Sequence, residues 1–171
     1  EISVRVHPVM LPSSHPLASV RNAFNAVYVE SEAAGQLMFY GRGAGGAPTA
    51  SAILGDLVAV TRHRAYSTVG YGESDYADLD IAPVGDVKSQ FFVRLHVADK
   101  SGVLASIAQV FAGEKISIQT VRQAGLGSDA ELVVVTHAAT ESSLKGCIKK
   151  LAEMEIVSKV ESVIRVEGVV A

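Results

Sequence analysis

Apolar and polar residues follow a regular pattern along most of this chain, and its first part predicts strands and one helix. Within residues 1–63, apolar side chains alternate at Ile2, Val4 and Val6, and the runs NAVYVES and GQLMFYG read as two strands with a hairpin-like connection. From Pro48 onward, apolar residues recur with the spacing of an amphipathic helix. These residues are predicted to form a partial mixed or antiparallel sheet with one helix.

The pattern in residues 87–171 is more regular. QFFVRLHVA alternates as a strand, SGVLASIAQVFAGE recurs as a helix, and ISIQTVRQAG and AELVVVTHA form a hairpin through GLGSD. A second helix, TESSLKGCIKKLAEM, is capped by Thr140 and carries Cys147 on its apolar stripe, as a core residue rather than a nucleophile. A last strand gives the order βαββαβ. The predicted class is α+β, with a ferredoxin-like antiparallel sheet covered on one face by both helices.

Residues 64–86 lie between these parts and show no sustained period. Scattered Gly, Ser, Asp and Pro predict a solvated connector. Asp75, Asp78 and Asp80 resemble a calcium-loop spacing, but the glycine and glutamate that such a loop needs do not follow. The five histidines include no i, i+4 pair. We expect no metal site.

Composition limits the classes of function. The chain has 171 residues and a net charge of −3, which favours neither nucleic acid nor an anionic membrane as a partner. A single cysteine permits no internal disulfide and fits a reducing cytosol, so a cytoplasmic location is expected. The apolar runs are too short to span a bilayer. The chain begins at Glu1 within an apolar alternation and has no initiator methionine, so we expect a fragment of a longer protein.

Gly41, Gly43 and Gly46 form a literal G-x-G-x-x-G between a predicted strand and a predicted helix. In the dinucleotide-binding fingerprint, such glycines let the backbone approach a phosphate at a helix N-terminus. That fingerprint also needs a second parallel strand and an acidic residue about 20 residues later. The following RHRAYSTVGYGES is no buried strand. On the motif alone, a glycine turn that packs a helix closely on a neighbouring domain is therefore favoured.

Several stretches in order resemble the closing part of the catalytic region of homoserine dehydrogenase. They are HPLASV at 15–20, NAVYV at 25–29 and GRGAGGAPTASAILGDL at 41–57. The βαββαβ half resembles an ACT domain, most clearly in DKSGVLASIAQVFAGEKISIQTVRQ, and longer members of that family carry such a domain at their C-terminus. The resemblance implies that 1–63 are the end of the catalytic and dimerisation region and that 87–171 are a regulatory ACT domain, joined by the connector.

The family interconverts L-aspartate 4-semialdehyde and L-homoserine with NAD or NADP, in threonine, methionine and isoleucine biosynthesis. The resemblance implies that Gly41, Gly43 and Gly45 face the nicotinamide cofactor, with Gly45 closest. It also implies that the Rossmann domain and the catalytic lysine lie upstream of Glu1. We therefore expect no catalytic residue in this chain, no activity or tight cofactor binding by it alone, and no means of choosing between NAD and NADP.

An ACT domain implies a small amino-acid sensor that pairs with another copy and binds its effector at the pair interface. L-threonine is the effector that the family's pathway implies. The helix after strand Phe91–Val97 offers backbone N–H groups to a carboxylate, Asp99 suits an ammonium group, and glutamines on the next strand offer hydrogen bonds. The predicted effector-binding residues are Asp99, Ser101, Gly102, Val103, Leu104, Gln119 and Gln123.

Two alternatives stay open from the sequence. Ser101 stands where the commonest ACT turn has proline, so the domain is alternatively a ligand-blind module that only holds subunits together through its strand edges. Asp99 is equally suited to capping the following helix. Under either interpretation we expect a homo-oligomer assembled through the ACT domains and residues 1–63, with no nucleic-acid or membrane partner.

Overall fold

The computed structural model of the chain describes residues 1–67, 76–125 and 130–168, which divide into two compact units. The larger unit combines Glu1–Pro12 with the described part of Leu79–Ala171, and the smaller unit is the described part of Ser13–Asp78. Helices and a mostly antiparallel sheet confirm the predicted α+β class. The domain boundaries near residues 63 and 86 stay a prediction.

The smaller unit contains the predicted hairpin and helix. Strands β2 (Phe24–Ser31) and β3 (Gly35–Arg42) pair antiparallel in an unbroken register, and helix α1 spans Gly46–Ala65. A 3₁₀ turn at Pro16–Ser19 precedes them, with the His15 ring accepting the Leu17 amide proton at 3.2 Å. The helix begins two residues before the expected Pro48, because Gly45 supplies the left-handed backbone that starts it.

The larger unit holds a sheet of order β1-β8-β4-β6-β5, flanked by two helices. Its main strands pair antiparallel, so the predicted βαββαβ order is confirmed. The elements are β1 (Val9–Met10), β4 (Lys88–Val97), α2 (Val103–Gly113), β5 (Ile118–Ala124), β6 (Ala130–Thr136), the short β7 (Ala139–Thr140), α3 (Glu141–Ala152) and β8 (Val157–Val166).

The core lies between this sheet and its helices. Alternate residues of β4 and β6 are almost fully buried against the apolar stripes of α2 and α3, at Phe91, Val93, Leu95, Val97, Leu132, Val134, Ile107, Phe111, Leu144 and Leu151. Each such side chain contributes roughly 1.5–3 kcal/mol by leaving water. Cys147 lies in the same cluster, where burial raises its pKa to about 12, so its predicted place in the core is confirmed. Thr140 caps α3 as predicted, accepting the Ser143 amide proton at 3.2 Å.

The strand predicted at the start of the chain was wrong. Ile2 makes only an isolated parallel bridge with Ile81. The strand that does form here is β1, which pairs with β8 and comes after the His7-Pro8 step rather than before it. Val6 is fully exposed, with a relative accessibility of 101%. Alternation marks one apolar face, but a strand also needs a neighbouring strand for its backbone groups.

Parts of two predicted segments lie outside the described residues. These are 68–75 of the connector, which include Asp75, and 126–129 of the GLGSD turn. The described end of the connector holds a 3₁₀ turn at Val84–Asp86. Across the described residues, the longest helices are too polar or too short to cross a bilayer.

Candidate functional site

One pocket of the larger unit, of about 240 Å³, collects six of the seven predicted effector residues. It lies where β4 passes into α2, beside β5 and β6. This volume is below the range of about 300–1,000 Å³ that is typical for drug-sized ligands, so it suits a small metabolite. The lining residues are Val97, Ala98, Asp99, Lys100, Ser101, Gly102, Val103, Leu104, Gln123 and Leu132.

The turn that forms one wall of the pocket is fixed by its own backbone. The Ala98 amide donates to the Ile156 carbonyl at 2.9 Å, and the Val103 amide donates to the Lys100 carbonyl at 3.3 Å. Gly102 has a φ of +90°, which favours glycine, and its carbonyl accepts both the Ser106 amide at 3.0 Å and the Ser106 hydroxyl at 3.1 Å. The N-cap of α2 is therefore Gly102, with no side-chain cap, so the alternative in which Asp99 caps this helix was wrong.

Backbone donors and charged side chains meet in this pocket. The first-turn amides of α2, such as that of Leu104, have no acceptor within the helix, and the helix dipole makes this end positive. Val103 was expected to offer its amide as well, but the turn already uses it. Lys100, a cation, lines the same pocket as the Asp99 carboxylate. The two opposite charges and the amides complement a zwitterionic amino acid, whose carboxylate and ammonium group need opposite partners.

Gln123 lies across the pocket from the turn. Its side-chain amide donates to the Asp99 carboxylate over a long 3.4 Å, and its strand neighbour is Leu132 on β6. A bond of this length between exposed groups is weak.

Gln119 is the one predicted effector residue that does not line the pocket. A register shift between Ile118 and Thr120 sets two residues of β5 against one of β6. Ile118 therefore shares the core-facing side with Gln123, and Gln119 becomes the exposed extra residue of a bulge. No feature of the sequence alternation marks such a bulge.

Lys100 was not among the predicted residues, because the turn was interpreted only as an ammonium partner with backbone donors and not as a source of a second charge. The turn DKSG did contain the signal, since Lys100 directly follows Asp99. Ala98 and Leu132 were missed for a different reason. They only enclose the pocket, and a pattern of apolar residues cannot distinguish a pocket wall from core.

The glycine turn of the smaller unit joins β3 to α1. A Cβ on Gly43 would lie 1.5 Å from the side-chain nitrogen of Asn25, and Gly45 has a φ of +136° with Pro48 only 3.2 Å from the position of a Cβ. These two glycines are required locally, whereas a Cβ on Gly41 would meet open space. The strand before the turn pairs antiparallel with β2, rather than in the parallel unit of the dinucleotide fingerprint. Of the three glycines, Gly41 is still paired within β3, whereas Gly43 and Gly45 lie in the turn that leads into α1.

Comparison with known proteins finds two families in succession along the chain. Residues 1–58 match the family model for homoserine dehydrogenase, and residues 91–155 match that for the ACT domain. A homoserine dehydrogenase of Corynebacterium glutamicum is 51% identical over 166 residues, covering 97% of this chain and 37% of the relative. One of Mycobacterium tuberculosis H37Rv is 50% identical over 173 residues, covering 98% and 39%.

Solved structures give the same result. The crystal structure of a homoserine dehydrogenase from Thiobacillus denitrificans superposes with a TM-score of 0.87 at 33% identity, over 96% of this chain and 39% of that one. The chain thus spans about two fifths of the length of the relatives that it matches. The resemblance seen in the sequence is confirmed: the chain belongs to the homoserine dehydrogenase family, corresponds to its C-terminal part, and carries an ACT domain.

Proposed function

We propose that this chain is the regulatory end of a cytoplasmic, nicotinamide-dependent homoserine dehydrogenase, which interconverts L-aspartate 4-semialdehyde and L-homoserine using NAD or NADP. The family membership supports this proposal, and because the chain spans two fifths of its relatives, the activity is proposed for the whole protein. The chain alone is inactive under this proposal. Gly41 at the end of β3, with Gly43 and Gly45 in the turn after it, presents bare backbone to the nicotinamide, because residues without Cβ atoms permit a close approach.

The ACT domain is the sensor for L-threonine in this proposal, and the pocket at the start of α2 is its site. The single observation that carries this is the convergence of six predicted effector residues on one pocket that also contains Lys100. The threonine carboxylate binds the first-turn amides of α2 and Lys100, and the ammonium group binds Asp99. The long hydrogen bond between Gln123 and Asp99 is then replaced by a hydrogen bond from one of these two side chains to the threonine hydroxyl.

The position of the open sheet edge favours pairing beside this pocket. Strand β1, which pairs with β8, forms one edge of the larger unit's sheet, and β5 forms the other edge. The residues of β5 from Gln119 to Ala124 are exposed, and Gln123 among them lines the pocket. A second copy that adds to the β5 edge therefore places a threonine site next to the interface of the pair. Threonine would then act by its differential affinity for two arrangements of the subunits.

The alternative is a ligand-blind ACT pair that only assembles subunits. The observation that favours it is Ser101, which lacks the fixed φ that a proline would give to the pocket turn. Both functions predict dimers through β5, so the oligomeric state alone does not separate them.

Calorimetric titration with L-threonine, combined with light scattering, tests the sensor. We expect saturable binding to a dimer, weakened at least about tenfold in Asp99→Asn because a charge-assisted bond is lost. Asp86→Asn is the matched control, since Asp86 is an exposed carboxylate of the same unit that does not line the pocket. A stable dimer that gives no heat, in this chain and in the full-length enzyme, would establish the assembly module instead.

The enzymatic part is tested separately. The full-length protein is expected to oxidise NADH or NADPH in the presence of L-aspartate 4-semialdehyde, and the 171-residue chain is expected not to. Turnover by the chain alone would contradict the assignment of the chemistry to the remaining three fifths of the protein.

A further inference from the structure

The first twelve residues, which we call the strap, lie with the larger unit although the residues that follow them form the smaller one. Strand β1 of the strap adds in parallel to the edge of β8, pairing Val9 with Arg165. The Glu167 amide donates to the Met10 carbonyl at 3.0 Å. The strap is therefore a fifth strand of the ACT sheet, in addition to the four that the βαββαβ order supplies.

The strap also forms hydrogen bonds with the segment through which the chain re-enters the larger unit. The Ile2 amide donates to the Asp80 carbonyl, and the Ala82 amide donates to the Ile2 carbonyl, both at 2.8 Å. The chain leaves the larger unit after Pro12 and re-enters it at Leu79. The two covalent connections between the units, which we call the crossings, therefore both involve the strap. The strap leads into the first and is hydrogen-bonded beside the second.

Arg5 fixes the middle of the strap to two strands at once. Its Nη1 donates to the hydroxyl of Ser89 at 2.7 Å, and its Nη2 donates to the Glu167 carboxylate at 3.2 Å. Ser89 is only 7% exposed and lies near the start of β4, whereas Glu167 directly follows β8. His7 approaches the same carboxylate oxygen, with its Nε2 at 3.8 Å. A guanidinium group suits this bridge because it offers several donors in a fixed plane.

The effector pocket and the Arg5 anchor lie at opposite ends of one strand. Val97, the last residue of β4, lines the pocket, and Ser89 near its other end holds Arg5. Between these ends, β4 pairs with β6 from Phe92 to Val97 and with β8 from Gln90 to Val97, so one continuous strand connects the pocket with the Arg5 anchor.

We propose that residues 1–12 are a cooperative strap, anchored by Arg5, through which the state of the ACT sheet reaches residues 13–78 and their glycine turn. The relay rests on the threonine sensing proposed above, whereas the anchoring does not depend on it. Loss of the anchor releases both crossings together, because β1 and the Ile2 bridge belong to one segment.

NMR-detected hydrogen exchange of the 171-residue chain tests the anchoring without any ligand. In Arg5→Ala, the amides of Ile2, Ala82 and Glu167 are expected to exchange together, about ten to a hundred times faster than in the wild type, since hydrogen bonds to a charged group are lost. Arg94→Ala is the matched control, because Arg94 pairs with Glu131 on the same sheet away from the strap. Glu167→Gln is a second variant that retains the shape of the anchor and should give a smaller increase.

The relay is tested by adding L-threonine to the same proteins. In the wild type, threonine should slow exchange in the Asp99–Leu104 turn and change it around Gly43 and Gly45. Arg5→Ala should retain the first effect and lose the second. A variant that transmits the change as the wild type does would overturn the relay, and independent release of Ile2 and Glu167 would overturn the anchoring. If threonine protects no wild-type amide, sensing and relay fail together, while the ligand-free comparison still decides the anchoring.

Discussion

The two units of this chain differ in what they bury. The larger unit closes a continuous core between its sheet and two helices, whereas the described residues of the smaller unit include no buried side chain. Helix α1 nevertheless carries several large apolar side chains, and Leu54 among them is 60% exposed. Apolar residues at a helical spacing therefore predict that a helix packs against another surface, whereas the burial of those residues shows whether it does so in this chain. Large exposed apolar surfaces are uncommon on proteins and are typical of sites of interaction.

The largest difference between the units should appear when one leucine in each is shortened. Leu151→Ala removes a fully buried side chain of α3 and should lower the free energy of unfolding by about 2–5 kcal/mol. Leu54→Ala on α1 should change it by no more than about 0.5 kcal/mol. Urea unfolding of both variants measures this. Equal losses would mean that α1 is buried in solution and would contradict the difference in burial between the two units.

Two N-cap glycines give a finer contrast, because each starts a helix with a positive φ. Gly102→Ala should destabilise the larger unit by about 1–3 kcal/mol through backbone strain. Gly45→Ala meets similar strain and is also close to Pro48, but it should reduce only the helical signal of α1 in circular dichroism. Gly113→Ala, with open space around a Cβ and no positive φ, is the unstrained control. A lower urea midpoint in Gly45→Ala would show that the two units unfold together.

The pKa of the Cys147 thiol is shifted only when the larger unit is folded, so the stability of that unit should depend on pH. Burial raises its pKa to about 12, against an ordinary value near 9.0. Between these values the unfolded chain loses the thiol proton and the folded chain retains it, so the stability contributed by the neutral thiol falls as pH rises. The slope is about 1.4 kcal/mol per pH unit.

Urea unfolding at several pH values above 9 should show this slope in the wild type and not in Cys147→Ala. Tyrosine and lysine titrate in the same range, so the difference between the two proteins, rather than either curve, is the measured quantity. Identical curves would mean that the thiol is accessible in the folded state.

The sequence predicted the elements with a buried face better than it predicted their neighbours. Alternation located β4 because Phe91, Val93, Leu95 and Val97 all enter the core. The same alternation at Ile2 and the following residues gave a false strand, since it contains no information about which strand lies beside it. The parallel pairing of β1 with β8 joins residues at opposite ends of the chain, and no local pattern encodes such a pairing.

The pocket at the start of α2 was predictable to the extent that it is local. The turn from Asp99 to Leu104 is one continuous stretch, and its glycine and following helix mark a group of backbone donors in the sequence itself. Gln123 lines this pocket and Gln119 does not, because one extra residue in β5 changes which side chains share a face. The contacts of Arg5 with Ser89 and Glu167 span most of the chain and required the structure.

Helix caps provide the smallest test of the contrast between the units. Thr140 begins α3 by accepting the Ser143 amide proton, so Thr140→Ala should cost about 1 kcal/mol of unfolding free energy. Thr61 also carries a hydroxyl on a helix, but it donates to the Leu57 carbonyl in the last turns of the exposed α1, where the backbone bond to that carbonyl remains. Thr61→Ala should therefore leave the urea midpoint unchanged. If the two variants lose stability equally, the cap does not account for the cost, and α1 must contribute to the same cooperative unfolding as the ACT core.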